Sequence, residues 1–581
     1  MHTNYNKFPE VTVQGYDNHA WQGWSSIHSV LNARVSDAAK TVLIVDCYPG
    51  VRLDELEQQL VTTLDAALVL NIESARRDEQ ALHHLLARNL TDDRVFGVLS
   101  CHHLDEFFDS NKLRQLRQQI DAVTEGLVVV YGSGAALAHS GDILVYADLP
   151  RWEIQQRMRH DGLGNWGAEN QDEDILRRYK RAFFIEWRVF DRHKTPLLKR
   201  ADYLLDTTVE GNPAMVSGDA LRAGLQQTTE QPFRVAPFFD PGVWGGQWMK
   251  QHFDLDPSAP NYAWCFDCVP EENSLLLRFG NVRIEIPSQD LVLTYPRPLL
   301  GEKVHARFGA EFPIRFDFLD TIGGQNLSFQ VHPLTEYIQQ QFGMHYTQDE
   351  SYYILEAEPG AVVYLGTKTG IAPQDMLDDL RAAGRGEKIF DDERFVNQIP
   401  AHKHDHFLIP AGTVHCSGAG TMVLEISATP YIFTFKLWDW GRLGLDGLPR
   451  PVHLDHGQQV IDWQRDTQWV HDNLINRIEP IAEGDGWREE RTGMHEREFI
   501  ETRRHWFTAP VTHHTHGGVN VLNLVEGAQA VVESPNGAFP PFVVNYAETF
   551  IIPAAVGEYR ISPFGKGIGQ QLATIKAWVR G

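Results

Sequence analysis

The hydrophobic pattern changes its period once along this chain, and that change limits the architectures open to it. Up to about residue 225, apolar runs of strand length alternate with stretches whose apolar residues recur at three- and four-residue steps. From about residue 235 the pattern becomes short apolar runs separated by Gly, Pro and Asp turns, with few helical stripes. The first regime specifies a parallel sheet flanked by helices, the second an antiparallel β-sandwich or barrel. A chain of 581 residues exceeds what one hydrophobic core organises, so a multidomain protein is expected.

Charge and composition narrow the partners. Lys and Arg number 52 against 77 Asp and Glu, a formal charge of −25, which argues against a nucleic-acid or anionic-membrane partner. No apolar stretch approaches the roughly 20 residues needed to cross a bilayer. Five cysteines are too few for a disulfide framework, and the first residues lack the basic-then-apolar order of a secretion signal. A cytoplasmic setting is expected. Cys265 and Cys268 form one CxxC and are expected as two packed thiols.

In the first region, Thr41–Cys47 is a strand-length apolar run broken by Tyr48-Pro49-Gly50, and Leu53, Leu56, Leu60 and Leu64 then form one helical stripe. VFGVLS (95–100), LVVVYG (127–132) and DILVYAD (142–148) repeat the strand pattern. A phosphate-binding loop would need further glycines and a lysine after the first strand, but DCYPGVR has one glycine and a proline that removes a donor. Gly132-Ser133-Gly134 is a tight strand exit. RRYKRAFFIEWRVFDRHKTPLLKRADYLLD then gathers Arg177, Arg178, Lys180, Arg181, Arg188, Arg192, His193, Lys194, Lys199 and Arg200, either as a solvated charged helix or as a contact for a phosphate or the neighbouring domain. With the preceding DLPRWEIQQRMR, and with Asp191 and Asp202, this segment resembles the lid and following segment of uridine-kinase-like P-loop kinases. The resemblance implies a P-loop-kinase-like α/β domain over residues 1–225 that has lost phosphotransfer.

The second region carries a set of metal-donor side chains. In LSFQVHP, Gln330 and His332 are two apart on a strand and share a face. Glu350 opens the next strand in DESYYIL, and His415 follows another in IPAGTVHC. Two imidazoles, a carboxylate and a carboxamide oxygen suit zinc or another divalent metal. Spacing leaves open the alternative of histidines satisfied inside a barrel. His402, His404 and His406 are expected to alternate along one strand face, and they or His513, His514 and His516 could imitate a second site.

QVHP, an acidic residue opening a YYIL strand, IPAGTVH and VLEI, with Trp244-Gly245-Gly246 and LWDWGRLGLDGLPRPVHLDHG, resemble the motifs of class I mannose-6-phosphate isomerases, which are zinc-dependent cupins. The likeness runs from Pro237 to Arg580. It implies a zinc ion held by Gln330, His332, Glu350 and His415, and a catalytic Arg442 near Asp439. It implies a sugar or sugar phosphate as partner; the candidate substrate contacts are Gln348, Arg450 as the reserve for Arg442, and Lys368 or His345 as compensating groups elsewhere in the pocket. Ion pairing of the arginines with Asp439 or Asp446 is the structural alternative. Where the family commonly has a lysine two residues before the metal-binding glutamate, this chain has Gln348, an amide without charge.

An internal repeat supports two jelly-roll cupin domains. YYILEAEPGAVVYLG with HFLIPAGTVHC is matched by NVLNLVEGAQAVVESPNG with TFIIPAAVGEY. Gly557 and Glu558 stand where the first copy has His415 and its successor, so the second copy is expected to be metal-free. The expected domains are 1–225, kinase-like; 226–455, metal-binding cupin with a helical insertion; and 456–581, second cupin. The expected function is a zinc-dependent aldose–ketose isomerase, most simply mannose 6-phosphate to fructose 6-phosphate. The alternative is a non-catalytic or regulatory metal-containing sugar-binding cupin with an inactive kinase-like domain.

Overall fold

The structure is a computed structural model that describes residues 4–35, 39–428, 433–445 and 447–581. The chain forms two compact units that are not contiguous in sequence. One comprises Glu10–Thr228 with Glu272–Tyr295; the other comprises the residues before Glu10, Thr229–Glu271 and Pro296–Gly581.

The α/β unit is built on a seven-stranded sheet, with the apolar run Lys40–Cys47 at the centre of its five parallel strands. Gly126–Gly132 and Ala66–Asn71 continue the sheet on one side, Ile143–Asp148 and Tyr203–Asp206 on the other, all parallel. Two antiparallel strands, Ala214–Ser217 and Ala20–Gln22, finish the latter edge. Helices fill the crossovers. Ser110–Ala122 starts where the Asp109 carboxylate accepts from the N–H groups of Asn111 and Lys112, and it buries Leu113, Leu116 and Ile120.

Three expectations for this part change. VFGVLS is not a strand. Val98 exchanges bonds with Asn89, and Ser100 N–H donates to the Phe184 carbonyl, so its backbone is satisfied without a neighbouring strand. LLLRFG (275–280) and VRIEIP (282–287), expected among the short strands of the antiparallel region after residue 235, are strands, but they pair with each other and with Glu10–Thr12 inside the α/β unit. LVLTYP (291–296), expected there as a further strand, instead contributes to the helix Gln289–Thr294, whose Asp290 is fully buried against Lys194 at 2.6 Å.

The basic cluster divides: Arg192, Lys199 and Arg200 are exposed, as a solvated helix would have them, while the rest of its charge is turned inward. Arg178, Lys180, Arg181 and Lys194 are buried. Arg178 donates to the carbonyls of Met158 and Leu163, Arg181 pairs with Glu186, and Lys194 also reaches Asp148 at 3.1 Å. Asp191 binds the Tyr48 hydroxyl and Arg151.

The other unit holds two antiparallel sandwiches. The first pairs a six-stranded sheet, containing Glu350–Ala357 and Thr421–Ser427, with a five-stranded sheet containing Phe329–Val331 and His415–Ser417. The second pairs six strands, containing Ile500–Phe507 and Leu572–Val579, with four. Its core gathers Phe507, Leu522, Leu524, Val532, Phe550, Tyr559 and Leu572 from both sheets. GIAPQDMLDDLRAAG supplies the helix Pro373–Gly384. Cys265 and Cys268 are buried free thiols.

Candidate metal centre

The strand register brings the donors together. Gln330 lies in Phe329–Val331 and pairs directly with His415, the first residue of His415–Ser417; His332 follows that first strand by one residue. Glu350 opens its strand in the facing sheet. The set therefore spans both sheets and lies inside the sandwich, with Gln330 8%, His332 1%, Glu350 0% and His415 0% exposed. Ligand atoms of His332, Glu350 and His415 lie within 4.8 Å of one another.

Each imidazole is aimed by a backbone carbonyl. His332 Nδ1 lies 3.0 Å from the Phe433 carbonyl oxygen and His415 Nδ1 lies 2.9 Å from that of Thr413. A carbonyl accepts only, so each Nδ1 carries a hydrogen and each Nε2 is the ring atom left to take a proton or an ion. Those Nε2 atoms face Glu350 Oε1 at 3.1 and 2.8 Å. Electron-rich atoms at this distance repel unless protons or a cation lie among them. His332 Nε2 and Glu350 Oε1 are buried without a hydrogen-bond partner, the state of atoms built to hold an ion. The Gln330 amide ends 3.3 Å from His415 Nε2, and half a turn about its last bond presents its oxygen there. The residues present therefore fit a divalent metal with mixed nitrogen and oxygen donors.

A second layer braces Glu350. Gln348 Nε2 donates to Glu350 Oε2 at 3.1 Å and to Glu425 Oε1 at 3.3 Å, while its Oε1 accepts from Phe433 N–H at 2.7 Å. Burial pushes the Glu425 carboxyl well up, and Asp317 and Glu350 add to that. Asp317 is raised to about 6 by burial, partly offset by Arg315. Burial works against charge on Glu350 as well, but His332 and His415 outweigh it and hold the carboxyl well below the usual range. Glu350 is thus the ionised member of a buried acidic group. Sequence reasoning named Glu350 and Gln348 but not Asp317, Glu425 or the two carbonyls. The available signal was a glutamate inside the otherwise apolar MVLEIS.

The remaining candidates form separate groups. Asp439 accepts from Arg442 and, at 2.6 Å, from Arg450, and Ser328 Oγ donates to it at 3.1 Å. Burial raises the Asp439 carboxyl, but Arg450 and Arg442 lower it further, so it stays below its ordinary value. Arg442 also donates to the Asn326 carbonyl at 2.7 Å. The cluster flanks the strand carrying Gln330, because Phe329 pairs with Trp438. Asp446 lies outside the described residues. Lys368 engages the Glu393 carbonyl rather than any of the four donors.

The other histidines do not form the faces expected of them. Only His406 of the first trio lies in a strand; His402 is exposed beside Asp405, and His404 has φ +71° in a turn. In the later trio His513 points inward and His514 outward, while His516 sits in a turn at φ +51°. The register also moves the second-copy equivalent of His415 to Tyr559, which pairs with His513 as His415 pairs with Gln330.

A mannose-6-phosphate isomerase of Streptococcus mutans serotype c (strain ATCC 700610 / UA159) is 26% identical over 221 residues, 38% of this chain and 64% of the relative's length. Mannose-6-phosphate isomerase ManA of Bacillus subtilis (strain 168) is 24% identical over 235 residues, 40% of this chain and 69% of the relative's length. Homology to mannose-6-phosphate isomerases thus covers about 40% of the chain. The chain spans less than two thirds of the Streptococcus relative. A solved mannose 6-phosphate isomerase from Bacillus subtilis superposes with a TM-score of 0.47 and 17% identity, covering 60% of this chain and 99% of that one. A family model described as a domain of unknown function, DUF8485, matches residues 23–230. Among the described residues no helix is long and apolar enough to cross a membrane.

Proposed function

We propose that this chain is a metal-dependent aldose–ketose isomerase acting on a sugar phosphate, with mannose 6-phosphate to fructose 6-phosphate as the simplest reaction and zinc as the metal. The observation that carries the reading is the buried His332–Glu350–His415 set, whose Nε2 and carboxylate atoms face one another with His332 Nε2 and Glu350 Oε1 unpartnered. The partial homology to isomerases points the same way.

Isomerisation moves a proton between C1 and C2 through an enediol, so a catalyst holds adjacent sugar oxygens, stabilises developing negative charge and moves a proton. A bound divalent ion supplies Lewis-acid stabilisation of those oxygens. Gln330, His332, Glu350 and His415 hold it, and the carbonyls of Phe433 and Thr413 fix both imidazoles with Nε2 inward. Gln348 holds Glu350 in place. Arg442 is assigned to the enediolate charge, with Asp439 and Arg450 positioning its guanidinium beside the strand of Gln330.

A second reading is favoured by Gln348, whose amide is engaged on three sides where the family resemblance expects a lysine. In that reading the barrel binds a sugar without turning it over. In both, residues 1–225 are a kinase-like domain without phosphotransfer, supported by the single-glycine turn after Cys47 and by the closure of Lys194 against Asp148 and Asp290. A coupled assay with mannose 6-phosphate and then unphosphorylated mannose separates the readings. Turnover of the phosphate supports the isomerase; binding of either sugar without turnover rejects it.

A further inference from the structure

The two sandwiches share one strand order, so their interiors can be compared position by position. In the six-stranded sheets, Asn520–Glu526 stands where Glu350–Ala357 stands, Leu572–Val579 where Thr421–Ser427 stands, and Ile500–Phe507 where Arg315–Asp320 stands. In the smaller sheets Val511–His514 takes the place of Phe329–Val331, and Glu558–Pro563 that of His415–Ser417.

Register then names the equivalents. Glu350 opposes Ile409, and Asn520 opposes Ile552, each at the start of its strand. The Tyr559 hydroxyl donates to Asn520 Oδ1 at 2.9 Å, so the second copy closes the metal position with a hydrogen bond. One row deeper the charge inverts. Glu425 lies between Tyr352 and Asp317 in the first sandwich, whereas its equivalent Lys576 lies between Leu522 and Arg503. Two carboxyl groups are replaced by two cations on one face, of which Arg503 is balanced by Glu489 and Glu501, leaving Lys576 as the cation without a carboxylate at ion-pair distance.

We propose that the interior of the second sandwich is an anion site that takes a phosphate monoester the size of a hexose phosphate. The place is a cavity of about 430 Å3, within the range of small-molecule sites. Of the Lys, Arg, Asp and Glu side chains lining it, five are cationic and one, Glu489, is anionic. Glu489 is already engaged by Arg503 at 2.8 Å and His505 at 3.3 Å, and Glu501 by Arg503 at 2.8 Å and Arg580 at 3.5 Å.

Unpartnered donors and acceptors remain. Lys576 is 8% exposed, and among the described residues no carboxylate lies within ion-pair distance of its ammonium, which rests 5.1 Å from the Trp578 ring. His513 Nε2 and His505 Nδ1 are buried without hydrogen-bond partners. Burial pushes Lys576 down to about 8; Arg503 adds to that, and Glu489 and Glu501, both held by other cations, offset it only in part. Among the described residues the histidines here complete no metal-donor group.

The site is independent of the isomerase reading, and its test keeps the two apart. Full-length protein and its His415→Ala variant are titrated calorimetrically with inorganic phosphate, glucose 6-phosphate and glucose. The expected result is binding of glucose 6-phosphate in both proteins, tighter than inorganic phosphate, and none of glucose. Lys576→Met weakens it by about tenfold or more, and Lys576→Arg retains it. At pH 8 binding takes up protons, because the anion restores charge to Lys576. Absence of phosphate-ester binding to His415→Ala, equal binding of glucose, tighter binding of inorganic phosphate, or unchanged affinity in Lys576→Met would each overturn the assignment.

Discussion

Gln348→Met removes the brace of Glu350 while leaving the volume of the side chain nearly unchanged. The substitution takes from the buried Phe433 N–H the acceptor it has at 2.7 Å, a loss of about 1–3 kcal/mol. It also removes the 3.1 Å donor to ionised Glu350 Oε2, about 1.5–3 kcal/mol more. The 3.3 Å contact to Glu425 is long and adds little. Burial of the apolar thioether offsets about 1 kcal/mol, so the net local destabilisation is about 1.5–5 kcal/mol. Global unfolding of a chain with several domains is not two-state, so hydrogen exchange in strand Glu350–Ala357 is the suitable assay. At 1.4 kcal/mol per decade, amides there should exchange roughly ten- to a few thousandfold faster than in the unaltered protein. Metal affinity should fall about 10–100-fold with the loss of a ligand's support. Exchange within about threefold of the unaltered protein would refute the bracing by Gln348, because its bonds would then contribute under about 0.7 kcal/mol.

Further outcomes follow from other buried groups. Burial, with Arg504 adding, holds His406 down to about 3, against about 6.5 in an unfolded chain. The unfolded state therefore takes up the proton first, and stability present above pH 6.5 is lost as pH falls toward 3, about 2 kcal/mol of it between pH 7 and 5. His406→Gln should remove that part of the pH dependence of exchange in strand His406–Ile409; an unchanged slope contradicts it. Lys194→Met leaves Asp148 and Asp290 buried without their shared cation and should destabilise the α/β unit by about 3–5 kcal/mol, seen as faster exchange in Ile143–Asp148. Arg442→Met should lower kcat for mannose 6-phosphate by about 100-fold with metal content unchanged. Loss of metal in that variant would instead make the Asp439 cluster a support for the ligand strand.

What could be foreseen from sequence follows from the range of the interactions. Gln330 and His332 were legible because a two-residue step on a strand puts both side chains on one face, and IPAGTVH marked the strand start that delivers His415. The α/β alternation was legible in the runs at 41–47, 127–132 and 142–148. VFGVLS misled because apolar composition says nothing about where a backbone finds its partners, and here Asn89 and Phe184 supply them. The helix Gln289–Thr294 was missed because Asp290 is explained only by Lys194, nearly a hundred residues earlier. Asp317 beside Glu425, and Arg503 beside Lys576, are neighbours through cross-strand register, which no local pattern displays. The return of Glu272–Tyr295 to the α/β unit is likewise decided by pairing with Glu10–Thr12.

The central claim is that His332, Glu350 and His415 converge on one cation. Elemental analysis of the purified full-length protein beside its His415→Ala variant tests it most directly. The account predicts close to one divalent metal ion per chain in the unaltered protein and its loss in the variant. Metal-free unaltered protein, or full retention in His415→Ala, would contradict it.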